Sequence, residues 1–207
     1  VIYLSGRVVV DERIGVMLSF NANHTTQNML APNQVFALDN GCFSNPDKYS
    51  DEGFLNWLDS ISRKNCLFAV APDVLGDSRK TLRRSLPMLS KIRKLGFSAG
   101  FVGQDGATTD LPWNEFDCLF IGGSTEWKLS QSAGDLIAEG KRQGKWVHVG
   151  RVNSFKRIRL VSILGADSVD GTHIAFKPMA RLNDIRTWLD NLEAQPSLFK
   201  RQLELMT

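Results

Sequence analysis

Six segments of this chain end a short apolar run in a carboxylate, a carboxamide or a glycine. They are Leu38-Asp39-Asn40-Gly41-Cys42-Phe43, Ala71-Pro72-Asp73-Val74, Gly103-Gln104-Asp105-Gly106, Ile121-Gly122-Gly123-Ser124, Val149-Gly150-Arg151-Val152-Asn153 and Asp167-Ser168-Val169-Asp170-Gly171-Thr172. The residue types suit chemistry at a sugar carrying a base. One carboxylate can attack the sugar carbon while a second serves as acid and base for the leaving group. A third carboxylate and a carboxamide can read the donor and acceptor edge of a base. Adjacent glycines let backbone N–H groups come close to a flat ligand. Asp39, Asp73, Gln104, Gly122, Gly123 and Asp170 qualify only if one scaffold brings them to a common rim.

Single residues of this kind also have plain structural uses. An Asp or Asn after a strand is often a turn residue or a helix cap. Asp105-Gly106 reads as a turn, and Asp77 as the cap of a helix starting near Arg79. His148 alternates inside an apolar run and reads as packed or hydrogen-bonded there. Cys42, Cys66 and Cys118 read as small buried hydrophobes.

The positioning scaffold follows from the apolar runs. Ile2-Tyr3-Leu4, Val16-Met17-Leu18, residues 35–38, 67–71, 99–102, 118–121 and 146–149, and Ser168-Val169 are short and bounded. Most are rich in β-branched or aromatic residues, so they read as buried strands. Between them the apolar residues recur at helical spacing. Phe54, Leu58 and Ile61 form one face; Leu82, Leu86, Leu89 and Ile92, stopped by Gly96, form another. Ala133, Leu136, Ile137 and Gly140 line a third, and Phe155, Ile158 and Val161 a fourth. Asp77-Ser78 and Asn153-Ser154 sit where N-caps belong. Alternating strands and helices imply a parallel sheet. Eight candidate strands predict a compact (β/α)8 TIM-like barrel as a single domain over 1–207, with a terminal helix over 194–207. A doubly wound open sheet is the alternative. In either fold the carboxyl ends of the strands carry the site.

In order, the segments Asp39-Asn-Gly-Cys-Phe, Pro72-Asp73, Val102-Gly-Gln104, Phe120-Ile-Gly122-Gly123, His148-Val-Gly150 and Gly165-Ala-Asp-Ser-Val-Asp170 resemble the queuine/archaeosine tRNA-guanine transglycosylases. That family's pattern runs DSGGF, an Asp after the next strand, VQGG, a GG loop, an MGVG-like strand and a final aspartate in a GxDxxD-like stretch. The resemblance covers about residues 35–172. Asn40-Gly-Cys-Phe-Ser44, Gly122-Gly-Ser-Thr-Glu-Trp-Lys128 and Ser168-Val-Asp-Gly-Thr172 look closest to the deazapurine DNA transglycosylases of phages and bacteria. The resemblance implies that Asp170 is the nucleophile at C1′ and Asp39 the general acid and base. It implies that Asp73 binds the N1/N2 edge of the base, and Gln104 with the Gly122-Gly123 backbone its O6 side. The tRNA enzymes carry a CxCxxC…H zinc site after the nucleophile. This chain has no cysteine after Asp170, so neither a zinc subdomain, a metal nor a cofactor is implied. It also has Asn40 in place of Ser, and VGQDG in place of VQGG.

The implied activity is exchange of guanine in DNA for a free 7-deazaguanine such as preQ0. Arg151, Lys156 and Arg157 are the first candidates to hold backbone phosphate. Arg79, Lys80, Arg83, Arg84 and Arg159 are further basic residues on loops and helix starts. Two alternatives stand beside this reading: the same reaction on tRNA, or a non-catalytic nucleic-acid-binding subunit of a modification complex. Retention of both Asp39 and Asp170 argues against the latter.

Composition is compatible with these readings and excludes others. The 207 residues are 43% hydrophobic and 23% charged, ordinary for a globular protein and unlike a disordered chain, a collagen or a coiled coil. No apolar run approaches the ~20 residues of a membrane span, and no signal peptide opens the chain. It begins at Val1, so a short leader is expected upstream. A net charge of +3 permits a nucleic-acid partner without demanding one. Three scattered cysteines form no CxxC pair, which favours a reducing cytoplasm, that of the host if the chain is viral. A homodimer or a partner subunit is compatible with all of this.

Overall fold

The computed structural model describes residues 1–9, 11–22, 27–44, 46–176 and 178–194. Eight parallel strands close into a barrel in chain order. They are β1 (Ile2–Ser5), β2 (Ile14–Ser19), β3 (Phe36–Asp39), β4 (Cys66–Val70), β5 (Ala99–Gly103), β6 (Cys118–Ile121), β7 (Trp146–Val149) and β8 (Ser168–Gly171). Pairing of β1 with β8 closes the ring and sets Leu4 beside Asp170. The α-helices are α1 (Asp51–Ser60), α2 (Ser78–Lys94), α3 (Thr125–Lys128), α4 (Gln131–Arg142), α5 (Phe155–Ile163) and α6 (Pro178–Glu193). Among the described residues no α-helix lies between β1 and β2 or between β2 and β3, which is how so short a chain completes the ring.

The period-2 alternation of a strand sorts the apolar residues into two clusters. Leu4, Ala37, Phe68, Val70, Val102 and Cys118 fill the barrel interior. Residues of the opposite parity, among them Tyr3, Val16, Leu38, Ala69, Phe101, Val147 and Val149, pack outward against Phe54, Leu58, Met88, Ile92, Leu136, Ile137 and Ile158 of the helices. The same alternation decides the rim. Two residues beyond Ala37 comes Asp39; two beyond Val102, Gln104; two beyond Phe120, Gly122; two beyond His148, Gly150; two beyond Ser168, Asp170. The sheet thus carries its polar residues to the carboxyl end, above an interior that is apolar except for His148 and Ser168.

Helix starts are fixed by side-chain caps. Ser50, Asp77, Ser124, Ser130 and Ser154 each accept the backbone N–H three residues on, which satisfies donors the helix itself cannot. Asp77 therefore is the expected cap, with α2 starting at Ser78. Of the pair Asn153-Ser154, Ser154 is the cap, while Asn153 Oδ1 accepts Thr172 N–H at 2.8 Å and ties the loops after β7 and β8.

The buried face of α2 differs from expectation. Thr81, Ser85, Met88, Leu89 and Ile92 are buried, whereas Leu82 and Leu86 are only half-buried. The reason is polar. Thr81 Oγ1 accepts Val74 N–H at 2.9 Å and lies 3.0 Å from Val74 O, and Ser85 Oγ donates to Pro72 O at 2.8 Å. Two hydroxyls thus turn inward to pin the loop that carries Asp73. The terminal helix expected over 194–207 lies outside the described residues apart from Ala194. No helix among the described residues is long and apolar enough to cross a membrane.

Candidate active site

A cavity of about 240 Å3 opens at the carboxyl end of the barrel, and Asp39, Asp73, Gln104, Gly122, Gly123, Arg151 and Asp170 all line it. Drug-sized sites run to roughly 300–1,000 Å3, so this one suits a single flat ring system. Its apolar lining comes from Met17, Val70, Val102, Phe120 and two exposed side chains at the mouth, Phe43 and Leu75.

Asp39 ends β3, in register with Ser19 at the end of β2. Ser19 Oγ donates to Asp39 Oδ2 at 3.0 Å and Gly41 N–H at 3.3 Å. Burial pushes the Asp39 carboxyl up to about 6; the Ser19 hydrogen bond opposes this, and the charges of Asp73 and Asp170 reinforce it. A carboxyl in that range can give and take a proton near neutral pH.

Two carboxamides clamp Asp73. Asn40 Nδ2 donates to its Oδ1 at 3.1 Å and to Ala71 O at 3.0 Å. Gln104 Nε2 donates to its Oδ2 at 2.6 Å, while Gln104 Oε1 accepts Gly76 N–H at 3.0 Å. The Gln104 oxygen is spent on the loop. What Gln104 retains for a ligand is its second N–H, a donor.

Asp170 faces the same space from β8. Its Oδ1 is 3.1 Å from His148 Nε2 and accepts Arg151 N–H at 3.2 Å. A Cβ at Gly150 would stand 2.7 Å from Phe120 and 3.2 Å from Asp170 Oδ1, so β7 passes the carboxylate only as glycine. Arg151 has φ 58°, a left-handed conformation that costs a non-glycine residue about 1–2 kcal/mol. That turn aims its N–H at Asp170 and returns its guanidinium to donate to Gly123 O.

Gly123 is also left-handed, with φ 73°, and a Cβ there would lie 2.5 Å from Asp105 Oδ2. Asp105 has the structural role expected of it. It accepts Ser124 N–H at 2.8 Å and Ser124 Oγ at 2.5 Å, clamping the glycine loop from outside.

Of the expected phosphate-binding residues, Arg151 lines the cavity itself. Arg157 shares a small recess with Arg151 and Lys128, and Lys156 is an exposed residue in the first turn of α5. Lys128 was not singled out by the sequence. It is buried, with Nζ donating to Gly150 O at 2.7 Å, and burial, helped by Arg151, pushes its ammonium down to about 8. Ser19 and Asn40 also went unassigned. Reading the end of strand two as the other ends were read would have found Ser19.

The cysteines are free. Burial pushes the Cys42 and Cys66 thiols up to about 12 and Cys118 well above the usual range, which disfavours thiolate chemistry. Among the described residues no three His, Cys, Asp or Glu side chains gather to hold a metal ion.

No family model and no curated protein matches the chain. Solved structures do. The tryptophan synthase complex of Pyrococcus furiosus is matched at 12% identity and TM-score 0.51, over 87% of this chain and 86% of that one. A ligand-free mutant form of tryptophan synthase from M. tuberculosis is matched at 13% identity and TM-score 0.51, over 85% and 78%. An open form of the M. tuberculosis enzyme with the compound BRD0059 bound is matched at 16% identity and TM-score 0.49, over 75% of this chain but only 59% of that one. At these identities the likeness is one of fold: the chain is a TIM barrel.

Proposed function

We propose that this protein is a guanine transglycosylase that exchanges guanine in DNA for a free 7-deazaguanine base. The observation that carries the proposal is the convergence of Asp39 and Asp170 on one base-sized cavity, beside the clamped Asp73–Gln104 pair. In the first step an Asp170 oxygen forms a bond to C1′ as the bond to guanine breaks, and Asp39 supplies the proton the departing base needs. In the second step Asp39 takes the proton of the incoming base. That base displaces Asp170, and the ester electrons return to the carboxylate. Two inversions retain configuration at C1′.

Asp73 suits the N1–H and N2–H edge of a guanine, because the two carboxamides fix its place and each oxygen keeps a lone pair to accept with. The second N–H of Gln104 and the N–H of Gly123 suit O6, the N–H of Gly122 being bonded to Gly103 O at 2.9 Å. A base within a duplex is out of reach of such a cavity, so the target nucleotide enters flipped out or single-stranded. The closeness to the DNA branch of the resemblance favours DNA over tRNA.

The test is to incubate the protein with labelled guanine or preQ0 and with duplex DNA, single-stranded DNA or tRNA, and to weigh the released nucleosides. Label is expected in DNA guanine positions, and Asp170→Asn is expected to abolish it while leaving the fold intact. Label confined to tRNA would transfer the activity to that polymer, and label in neither would reject the transglycosylase reading.

A further inference from the structure

Beneath Asp170 the barrel interior holds a hydrogen-bonded column where an apolar plug would be ordinary. Trp146 Nε1 donates to Ser168 Oγ at 2.8 Å. Ser168 Oγ lies 2.8 Å from His148 Nδ1, and His148 Nε2 lies 3.1 Å from Asp170 Oδ1. His148 and Ser168 are wholly buried. The imidazole is held between Phe120 and Phe68, with ring centroids 4.5 and 5.2 Å away. A buried polar ring costs stability unless both its nitrogens are bonded, and here they are.

The column has a direction. Trp146 can only donate, so Ser168 Oγ accepts from it and its own proton is free to point at His148 Nδ1. An ionised Asp170 can only accept, so it accepts the Nε2–H of the neutral imidazole while Ser168 Oγ–H donates to Nδ1. A doubly protonated ring would present the same Nε2–H.

We propose that His148 is a positioning residue: it donates Nε2–H to Asp170 Oδ1 and so reserves Oδ2 as the oxygen that attacks C1′. The proposal rests on the transglycosylase reading for its chemistry, though not for its geometry. Both hydrogen bonds described for Asp170, from His148 and from Arg151 N–H, fall on Oδ1. When Oδ2 bonds to C1′, Oδ1 becomes the ester carbonyl oxygen and keeps the His148 N–H. When the incoming base takes C1′, the C1′–Oδ2 electron pair returns to Asp170. No proton moves through His148 in either step, so Asp39 handles both proton transfers.

The experiment has two arms. The first is nitrogen-detected NMR of the imidazoles in the intact protein, whose three histidines keep the spectrum simple. His148 is expected to carry a proton on Nε2, and Asp170→Asn is expected to shift that resonance more than Nδ1. An unprotonated Nε2 would overturn the proposal. The second arm is base-exchange kinetics of His148→Phe, which fills the space without a donor, and His148→Gln, which restores an N–H. For His148→Phe, kcat is expected to fall on the order of 10- to 100-fold, the range for loss of a group that orients a reacting ligand. KM for the free base is expected to stay within about twofold, and His148→Gln to recover part of the loss. A folded His148→Phe with wild-type kcat would overturn the assignment. Should that variant not fold, Ser168→Ala carries the arm: it is expected to lower kcat and to reduce the Nε2–H population, and no change in either would overturn the assignment. If the wild-type protein exchanges no base, the transglycosylase reading fails, and the NMR arm still decides whether His148 holds Asp170.

Discussion

Asp39 is a carboxyl whose burial at the rim comes at a cost to the fold. Its folded value of about 6, against 3.8 when unfolded, corresponds to roughly 2–3 kcal/mol of destabilisation of the charged form. Between those two values the native state holds a proton that the unfolded chain has lost. The contribution of Asp39 to stability is therefore greatest below about pH 4 and is lost as pH rises through about 6. Asp39→Asn keeps an acceptor for Ser19 and has no charge to bury. Denaturant unfolding at pH 7.5 is expected to show it about 1–3 kcal/mol more stable than wild type, with the gain gone at pH 4. The same variant is expected to be inactive. A loss of stability at pH 7.5 would mean that the carboxylate is better solvated than its position implies. If the proposed transglycosylase reaction holds, formation of the glycosyl-enzyme in wild type should decline above about pH 6 with a one-proton slope, because Asp39 would have to be protonated to release guanine.

At the scale of elements, the loops after β4 and β6 are pinned from outside the cavity. Asp77 accepts Lys80 N–H at 2.9 Å and also pairs with Lys80 Nζ. Asp77→Ala is expected to cost about 1 kcal/mol of stability and to leave exchange unchanged, since Thr81 and Ser85 hold the Asp73 loop independently. Gly123→Ala should behave differently. It places a side chain in a left-handed conformation and drives its Cβ into Asp105, which calls for roughly 1–3 kcal/mol of strain. The loop must then shift, and with it the backbone that faces the base. A rise in KM for the free base larger than the fall in kcat is the expected pattern in steady-state kinetics.

The elements differ in how legible they were. All eight strands could be read because buried parallel strands are continuous apolar runs with polar ends. The rim followed from them, since alternation alone places Asp39, Gln104, Gly122 and Asp170 on the inner face. On α2 the period locates Leu89 and Ile92 on the inward face but not Thr81 and Ser85, which are buried by hydrogen bonds to a loop that no hydrophobic period records. His148 is packed and hydrogen-bonded as its place in an apolar run implies, but its partners, and the burial of Lys128, are not legible in the sequence for a related reason. Their partners, Gly150 O and Asp170, are 20 or more residues away in sequence and meet them only when the barrel closes.

At the scale of the whole molecule, a nucleic-acid substrate would need a surface for its backbone beside the cavity. Arg151, a candidate for phosphate contact, lines the cavity and donates to Gly123 O. Lys156 and Arg157 stand on the first turn of α5, outside the cavity lining. A phosphate contact contributes about 0.7–0.9 to the slope of log affinity against log salt. If the substrate is nucleic acid, Lys156→Ala and Arg157→Ala should each lower that slope by about this amount, with the choice of free base unchanged. Arg151→Ala should do more than lower the slope. It frees Gly123 O and loosens the glycine loop, so KM for the free base should rise as well. Salt titrations of DNA binding, paired with competition between guanine and preQ0, separate the two classes. Should Arg151→Ala flatten the salt dependence with no effect on the free base, its guanidinium belongs to the polymer track. A change in base choice caused by Lys156→Ala would place the start of α5 at the cavity mouth.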